Sequence, residues 1–527
     1  MPDYRSSVPR FTFSDSLAAQ ERELATNPLL ERFRASRREL VRDRHVPRYH
    51  FVSPENRLND PNGLCRWQGR WHLFYQGYPP EDPRQHWGHA VSDDLIHWSD
   101  LPYAIYPDPE RCCFSGATLV EDDRVIACYH GTEAGTMVAT SSDPLLLNWE
   151  KLTGKPVIPM ESPDGSPLPY RVFDPCIWKQ GGSYYSLSGG TLPHPPAGKV
   201  SRADFLFRSD DLVNWEYLHP FDENDRFSLV GDDGACPYFW PIGSGPDRRH
   251  MLLYFSHMSG GKYLIGDYDT ERDKLAVTAG GRFNFGSAQP GGVHAPSATP
   301  DGDGLIVIFN MNPAKPTRGW DQVMSLPRRL TLAEHDEIEM EPAGDIASLR
   351  GRHVRVGPTK LPANREVVLE EVSGTSLEIA AVIDPREAPT VEIDVLRSPR
   401  REEYTRISFY RRRGFRNRER YAGGDRDKAA AAADSLITLD NARSSELPDA
   451  LSRAPETAPV YVGPDEPLAL RIFIDRSVVE VFAGGRQCVA LRVYPGREDS
   501  AGVSLRACGS EATLRSLDAW QMKSIYE

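Results

Sequence analysis

The sequence predicts an all-β protein: a five-bladed β-propeller followed by a C-terminal β-sandwich, with a short helical N-terminal lead-in. Three observations carry this expectation. From Arg48 to about Leu330 the chain is a succession of short aromatic and β-branched runs broken by Gly, Asp and Pro, the pattern of strands and turns. Within that stretch, five similar turn–strand–turn–strand pieces start at Asp60, Ser115, Asp174, Cys236 and Ala295, about 60 residues apart. Beyond Leu330 the repeat stops while strand-like runs such as LEIAAVI, TVEIDVL and LALRIFIDRSVVEVF continue. A unit of this length holds four strands, and sheets packed radially around a channel leave few exposed edges.

The elements follow in order. Residues 15–45 are rich in Ala, Leu, Glu and Arg with apolar positions at helical spacing, so residues 1–45 are expected to be a helical lead-in. The first unit runs DPNG, LCRW, a QGR turn and WHLFYQ; the second FSG, ATLV and RVIACYH; the third DP, CIW, KQGG and SYYSLSGG. The fourth runs CP, YFWPI and RHMLLYFSH, and the fifth AP, SAT, PDGDG and LIVIFNM. Late in the first three units SDDLIHW (92–98), SSDPLLLNW (141–149) and SDDLVNW (209–215) mark a turn ahead of each outer strand. The propeller is placed at 46–345 and the sandwich at 358–527, joined by VGPTKLPAN (356–364). Residues 397–428 carry many arginines and are followed by five alanines at 429–433; in so acidic a chain they read as a solvated hairpin and insertion, not a basic contact site.

Composition narrows the function. Of 527 residues 39% are apolar and 42 more are glycine, an ordinary globular value. A net charge of −13 disfavours nucleic acid and anionic membranes and favours a neutral substrate. There is no run of 18 apolar residues, and the N-terminal stretch lacks a basic segment followed by an apolar one, so neither a membrane span nor a secretory signal is expected and the protein is placed in the cytoplasm. Eight cysteines without a CxxC pair read as reduced thiols. No P-loop or strand-linked GxGxxG supports a nucleotide cofactor, and His86, His89, His257 and His294 lack metal-ligand spacing, so no cofactor and no metal is expected. The oligomeric state is left open.

In a propeller, residues at equivalent points of successive blades converge at one mouth of the channel. Two of the five starts are Asp-Pro, at Asp60 and Asp174; Asp-Pro is also ordinary turn chemistry, but its recurrence at one repeat phase points to a site. Asp232 and Asp233 precede the fourth start and supply a third carboxylate. Three acids around one cavity suit glycosyl transfer, in which one attacks or stabilises an oxocarbenium-like state and another protonates the leaving oxygen. Most aromatics near the first start read as blade core, with Trp87 and Trp320 the candidates for stacking on a sugar.

The motifs HFVSPENRLNDPNG (50–63), FYQ (74–76), WGHAVSDDLIHW (87–98), FSGA (114–117), FDP (173–175), LPRRLTL (326–332) and IFIDRSVVEVF (472–482) occur in the order found in glycoside hydrolase family 32, the invertase, levanase and inulinase family, which the chain therefore resembles over most of its length. The resemblance implies a five-bladed propeller with a β-sandwich behind it. It implies Asp60 as nucleophile, Asp174 as transition-state stabiliser, and Asn59, Gln76, Trp87, Phe114 and Ser115 around a fructosyl unit. Two positions depart from the family pattern. Phe173 stands where the family has Arg directly before the second Asp, with Arg171 two residues earlier, and Ala235 stands where the family has its acid/base Glu before Cys-Pro. The activity implied is that of a retaining β-fructofuranosidase acting on sucrose or fructo-oligosaccharides. A fructosyltransferase, or a fructan-binding protein of weak activity, are the alternatives. If the segment entering the fourth inner strand is extended, Asp233 points the same way as position 235, which makes it the first candidate for the missing acid and Asp232 the second. Cys112 and Cys113, just ahead of FSGA, are expected to shape the subsite without taking part in chemistry.

Overall fold

The computed structural model describes residues 4–162, 164–415 and 433–526. Helices Leu17–Ala25 and Pro28–Leu40 open the chain. Asn27 caps the second, its side chain accepting the amides of Leu29 and Leu30, and Pro28 takes the first helical position, where a missing N–H is harmless. Leu24, Leu29, Leu30 and Phe33 bury against Leu101 and Tyr103 of the outer strand Ser99–Ile105, which ties the lead-in to the first sheet.

Five antiparallel sheets of four principal strands follow in chain order. Their innermost strands, Leu58–Trp67, Cys113–Val120, Pro175–Gln180, Ala235–Ile242 and Val293–Asp301, touch each other in sequence, and the last returns to the first, closing a ring. These are the five repeated units. In four of them the pairing with the second strand slips at the same place, between Leu58 and Pro61, Cys113 and Gly116, Ala235 and Tyr238, and Val293 and Pro296. A bulge bends a strand and re-aims a side chain. The residues inside these slips include Asp60, Ser115, Cys236 and His294. In the third blade the strand starts at Pro175, directly after Asp174.

The second sequence signature is a turn with one chemistry. Asp94 Oδ1 accepts the amides of Ile96 and His97, and Asp211 Oδ1 those of Val213 and Asn214. Asp143 accepts from Leu147 and Asn148 in the second blade. Each turn carries a leucine at positive φ: Leu95 at 70°, Leu146 at 52° and Leu212 at 68°. Gly116 of FSGA is dictated by packing, since a Cβ there would sit 2.2 Å from the Cys128 carbonyl oxygen.

Two further sheets enclose a second apolar core and form the sandwich. The strand Arg350–Val356 already pairs with the C-terminal strand Ala512–Met522, so the sandwich begins ahead of residue 358. Three motifs meet where it joins the propeller. His50 contacts Asp475 Oδ2 through Nδ1 at 2.9 Å and Glu480 Oε1 through Nε2 at 3.1 Å, and Arg328 donates to Glu480 at 2.7 Å. All four side chains are fully buried. Of the arginine-rich stretch, Arg397 pairs with Glu366 and both Arg401 and Arg406 with Asp394. Residues 416–432, including most of the alanine run, lie outside the described residues.

Candidate active site

The bulged inner-strand ends bring their side chains together at one mouth of the ring. Asp60 Oδ2 accepts from the Ser115 hydroxyl at 2.7 Å and from the Gln76 amide at 3.2 Å. Gln76 also donates to Ser115 Oγ at 2.8 Å and accepts from Asn59 Nδ2 at 3.2 Å. Asn59 Oδ1 in turn accepts from Asn310 at 3.1 Å and Gln322 at 3.0 Å, so a chain of amides fixes the first-blade side of the site.

Cys236 joins the two aspartates. Its thiol lies 3.6 Å from Asp60 Oδ2 and 3.5 Å from Asp174 Oδ2, and its backbone N–H donates to Asp174 Oδ2 at 3.1 Å. Burial, then the charge of Asp60, raises the Asp174 carboxyl to about 7. Burial and both carboxylates push the Cys236 thiol far up, which leaves it a neutral S–H donor between them. His294 completes the ring from the fifth blade, with Nε2 at 3.5 Å from Asp60 Oδ1. The Asn312 amide lies 2.9 Å from His294 Nδ1 and also donates to the Ala288 carbonyl, so it is the donor and the His294 proton is assigned to Nε2, facing Asp60. Burial lowers the His294 ring to about 4, so it is neutral at working pH.

The expected acids separate sharply. Asp232 is fully buried in an ion pair with Lys262 and also accepts from Ser259 and the Leu229 amide. It is absent from the cleft lining, and its role as a candidate acid is not supported by this placement. Gly234 at φ +66° turns the chain between the two acids and the strand. Asp233 reaches a cleft of about 880 Å³ walled by residues that include Tyr170, Arg171, Phe173, Thr191 and His194. There it accepts from His257 twice, from Nδ1 at 2.6 Å and from the backbone N–H at 3.1 Å. Ala235 is 1% exposed and packs with Phe255, Ala288 and Ala295, so a methyl group fills the place expected of the acid.

The two candidate stacking tryptophans are corrected by their burial. Trp87 is wholly enclosed between Phe74 and Tyr129, and its indole N–H holds the Phe114 carbonyl at 2.9 Å. Trp320 is 2% exposed, donates to Asp43 at 3.0 Å, and borders a separate cleft with Arg57, Tyr78 and Lys315. Neither presents a free ring face. Phe114 and Phe173 both pack against His130, while Arg171 is exposed along the larger cleft. Cys113 is buried with its thiol at 3.2 Å from Glu110, behind the site. Among the described residues no group of three His, Cys, Asp or Glu side chains could hold a metal.

In the sequence His257 and His294 stand out only as histidines without metal-ligand spacing. His294 directly precedes the fifth repeat start, a phase signal that marks it. His257 follows the second strand of its blade, Arg249–Ser256, and carries no such signal.

Comparison with known proteins agrees with this architecture. Residues 50–342 match the glycosyl hydrolases family 32 N-terminal domain, and residues 345–521 the family 32 C-terminal domain. The chain is 28% identical over 563 aligned positions to β-fructofuranosidase, insoluble isoenzyme 2, of Daucus carota, covering 91% of this chain and 89% of that one. It is 25% identical to levanase of Bacillus subtilis, covering 91% and 71%. The crystal structure of fructan 1-exohydrolase IIa from Cichorium intybus superposes with a TM-score of 0.76 at 23% identity, covering 92% of this chain and 98% of that one, and supports the fold.

Proposed function

The chain belongs to glycosyl hydrolase family 32, and from that premise we propose that it is a retaining β-fructofuranosidase that releases terminal β-fructosyl units from sucrose or fructo-oligosaccharides. The observation that carries the reading is the pair Asp60 and Asp174, set at the mouth by two inner strands and joined through Cys236. Asp60 attacks the anomeric C2 of the fructosyl unit while the glycosidic C–O bond breaks, giving a fructosyl-enzyme ester that water resolves. Ser115 and Gln76 hold the attacking carboxylate in one orientation. Asp174 grips fructosyl hydroxyls, and Asn59 and Gln76 present amides to the same sugar. Phe114 borders the same fructosyl subsite, and Arg171, on the wall of the adjoining cleft, is the candidate to contact the leaving group. All eight cysteines are unpaired, which supports a reducing compartment such as the cytoplasm.

Product analysis at high sucrose tests the reaction class. Equal release of glucose and fructose is the expected result, whereas longer or cyclic fructans with little free fructose would make the enzyme a transferase. Turnover that survives Asp60→Asn would remove the nucleophile assignment, and absence of any turnover in the native protein would favour the fructan-binding alternative.

A further inference from the structure

With Ala235 in place of the family's acid, proton delivery to the leaving group has to come from another residue. The mouth of the fourth blade offers one arrangement. His257 stands in the turn after Arg249–Ser256 and makes two hydrogen bonds to Asp233, from Nδ1 at 2.6 Å and from the backbone at 3.1 Å. With Nδ1 so committed, Nε2 has no hydrogen-bond partner among the described residues, and the side chain is 60% exposed. The ring is 4.9 Å from Phe255 and 6.3 Å from His294, whose Nε2 lies 3.5 Å from Asp60. It therefore stands on the rim of the same mouth, next to Ala235, which pairs with Phe255.

We propose that His257 is the general acid and base of this enzyme, held in its tautomer and orientation by Asp233. The inference rests on the fructosidase reading above. In the first step Asp60 forms its bond to C2, the C2–O bond to the leaving group breaks, and the proton on His257 Nε2 passes to the departing oxygen. In the second, water attacks C2, gives its proton to Nε2, and Asp60 departs as carboxylate. Asp233 orients the ring throughout, as a carboxylate does behind a catalytic histidine.

The charges facing the ring favour the protonated form needed for the first step. The bond to Asp233 is the largest influence and raises the His257 ring above its ordinary value; burial opposes it, and the charges of Asp233, Asp174 and Asp60 reinforce it. The neighbouring His294 is neutral and adds no opposing charge. A carboxylate that accepts two hydrogen bonds from one histidine is a poor proton donor, which favours His257 over Asp233 for the transfer itself.

The test compares His257→Gln and Asp233→Asn on sucrose and on a nitrophenyl β-fructofuranoside, whose leaving group needs no proton. His257→Gln is expected to lose about 10²–10⁴-fold in kcat/KM on sucrose and to keep kcat/KM on the activated substrate within about tenfold of the native enzyme, since kcat/KM reports the first step. For the native enzyme, kcat/KM on sucrose should fall as pH rises through the His257 pKa. That fall should move to lower pH in Asp233→Asn and be absent with the activated substrate. Equal losses in kcat/KM on both substrates in a folded His257→Gln protein, or unchanged sucrose hydrolysis, would overturn the proposal. Selective loss in Asp233→Asn alone would transfer the role to Asp233. Asp60→Asn, which should abolish turnover of both substrates, tests the fructosidase reading separately.

Discussion

Replacing Asp174 by Asn should stabilise the fold while removing activity. Asp174 is 3% exposed, and its Oδ1 has no hydrogen-bond partner among the described residues. Burial and the neighbouring Asp60 raise its carboxyl from the ordinary 3.8 to about 7. Between those values the folded protein holds a proton that the unfolded chain has released, so stability falls as pH rises through this window and the full cost stands above it. At about 1.4 kcal/mol per pH unit, the cost is roughly 1.5 kcal/mol at pH 5 and about 4 kcal/mol at pH 8. Asn keeps an acceptor for the Cys236 N–H and removes the charge. Thermal unfolding of the native and Asp174→Asn proteins at pH 5 and pH 8 reads the difference. The variant should unfold at higher temperature, with the larger gain at pH 8. A variant no more stable than the native protein at pH 8, or a gain that shrinks as pH rises, would refute the reasoning.

Three further outcomes follow from named contacts. Ser115→Ala removes the 2.7 Å bond to Asp60; a hydrogen bond to a charged group is worth about 1.5–3 kcal/mol, so kcat/KM should fall roughly 10- to 150-fold in steady-state assays. His50→Phe removes the imidazole from between two buried carboxylates, leaving Glu480 with Arg328 and Asp475 with the Arg48 and Tyr49 amides, and should cost about 3–5 kcal/mol in denaturant unfolding at pH 6. Because His50 is raised from 6.5 to about 9 by its two carboxylates against the effect of burial, its contribution is complete below pH 6.5 and is lost as pH rises through 9, so the native and variant proteins should converge at alkaline pH. Iodoacetamide at pH 7.5 should leave activity intact, since the Cys113 and Cys236 thiols are buried and held far above neutrality; rapid inactivation that fructose prevents would contradict this.

The repeat phase made the propeller and half of the site legible in the sequence. A bulge at the same point of four inner strands turns equal spacing along the chain into convergence in space, which is why Asp60, Ser115, Cys236 and His294 meet. The aspartate-centred turns at Asp94, Asp143 and Asp211 are local and were readable for that reason. Asp232 and Asp233 were harder to separate, because the choice depends on Gly234 at positive φ and on Lys262, about thirty residues away, which captures Asp232. Trp87 and Trp320 have the composition of sugar platforms but are enclosed by side chains from other strands, which no local pattern encodes. The partnership of His257 with Asp233 spans a whole strand pair and likewise leaves no trace in spacing. The family motifs at His50, Arg328, Asp475 and Glu480 prove to be a buried charge cluster at the joint between propeller and sandwich.

The central claim is that Asp60 takes the fructosyl unit as an ester. The most direct measurement is to mix the His257→Gln protein with a nitrophenyl β-fructofuranoside, quench in acid and analyse the peptide spanning Asp60 by mass spectrometry. The second step needs a base, so the ester should accumulate in this variant, and that peptide should gain the mass of one anhydrohexose located on Asp60. The gain should be absent when Asp60→Asn is combined with it. A burst of nitrophenol with no adduct on any peptide, or an adduct on Asp174 in place of Asp60, would contradict the account.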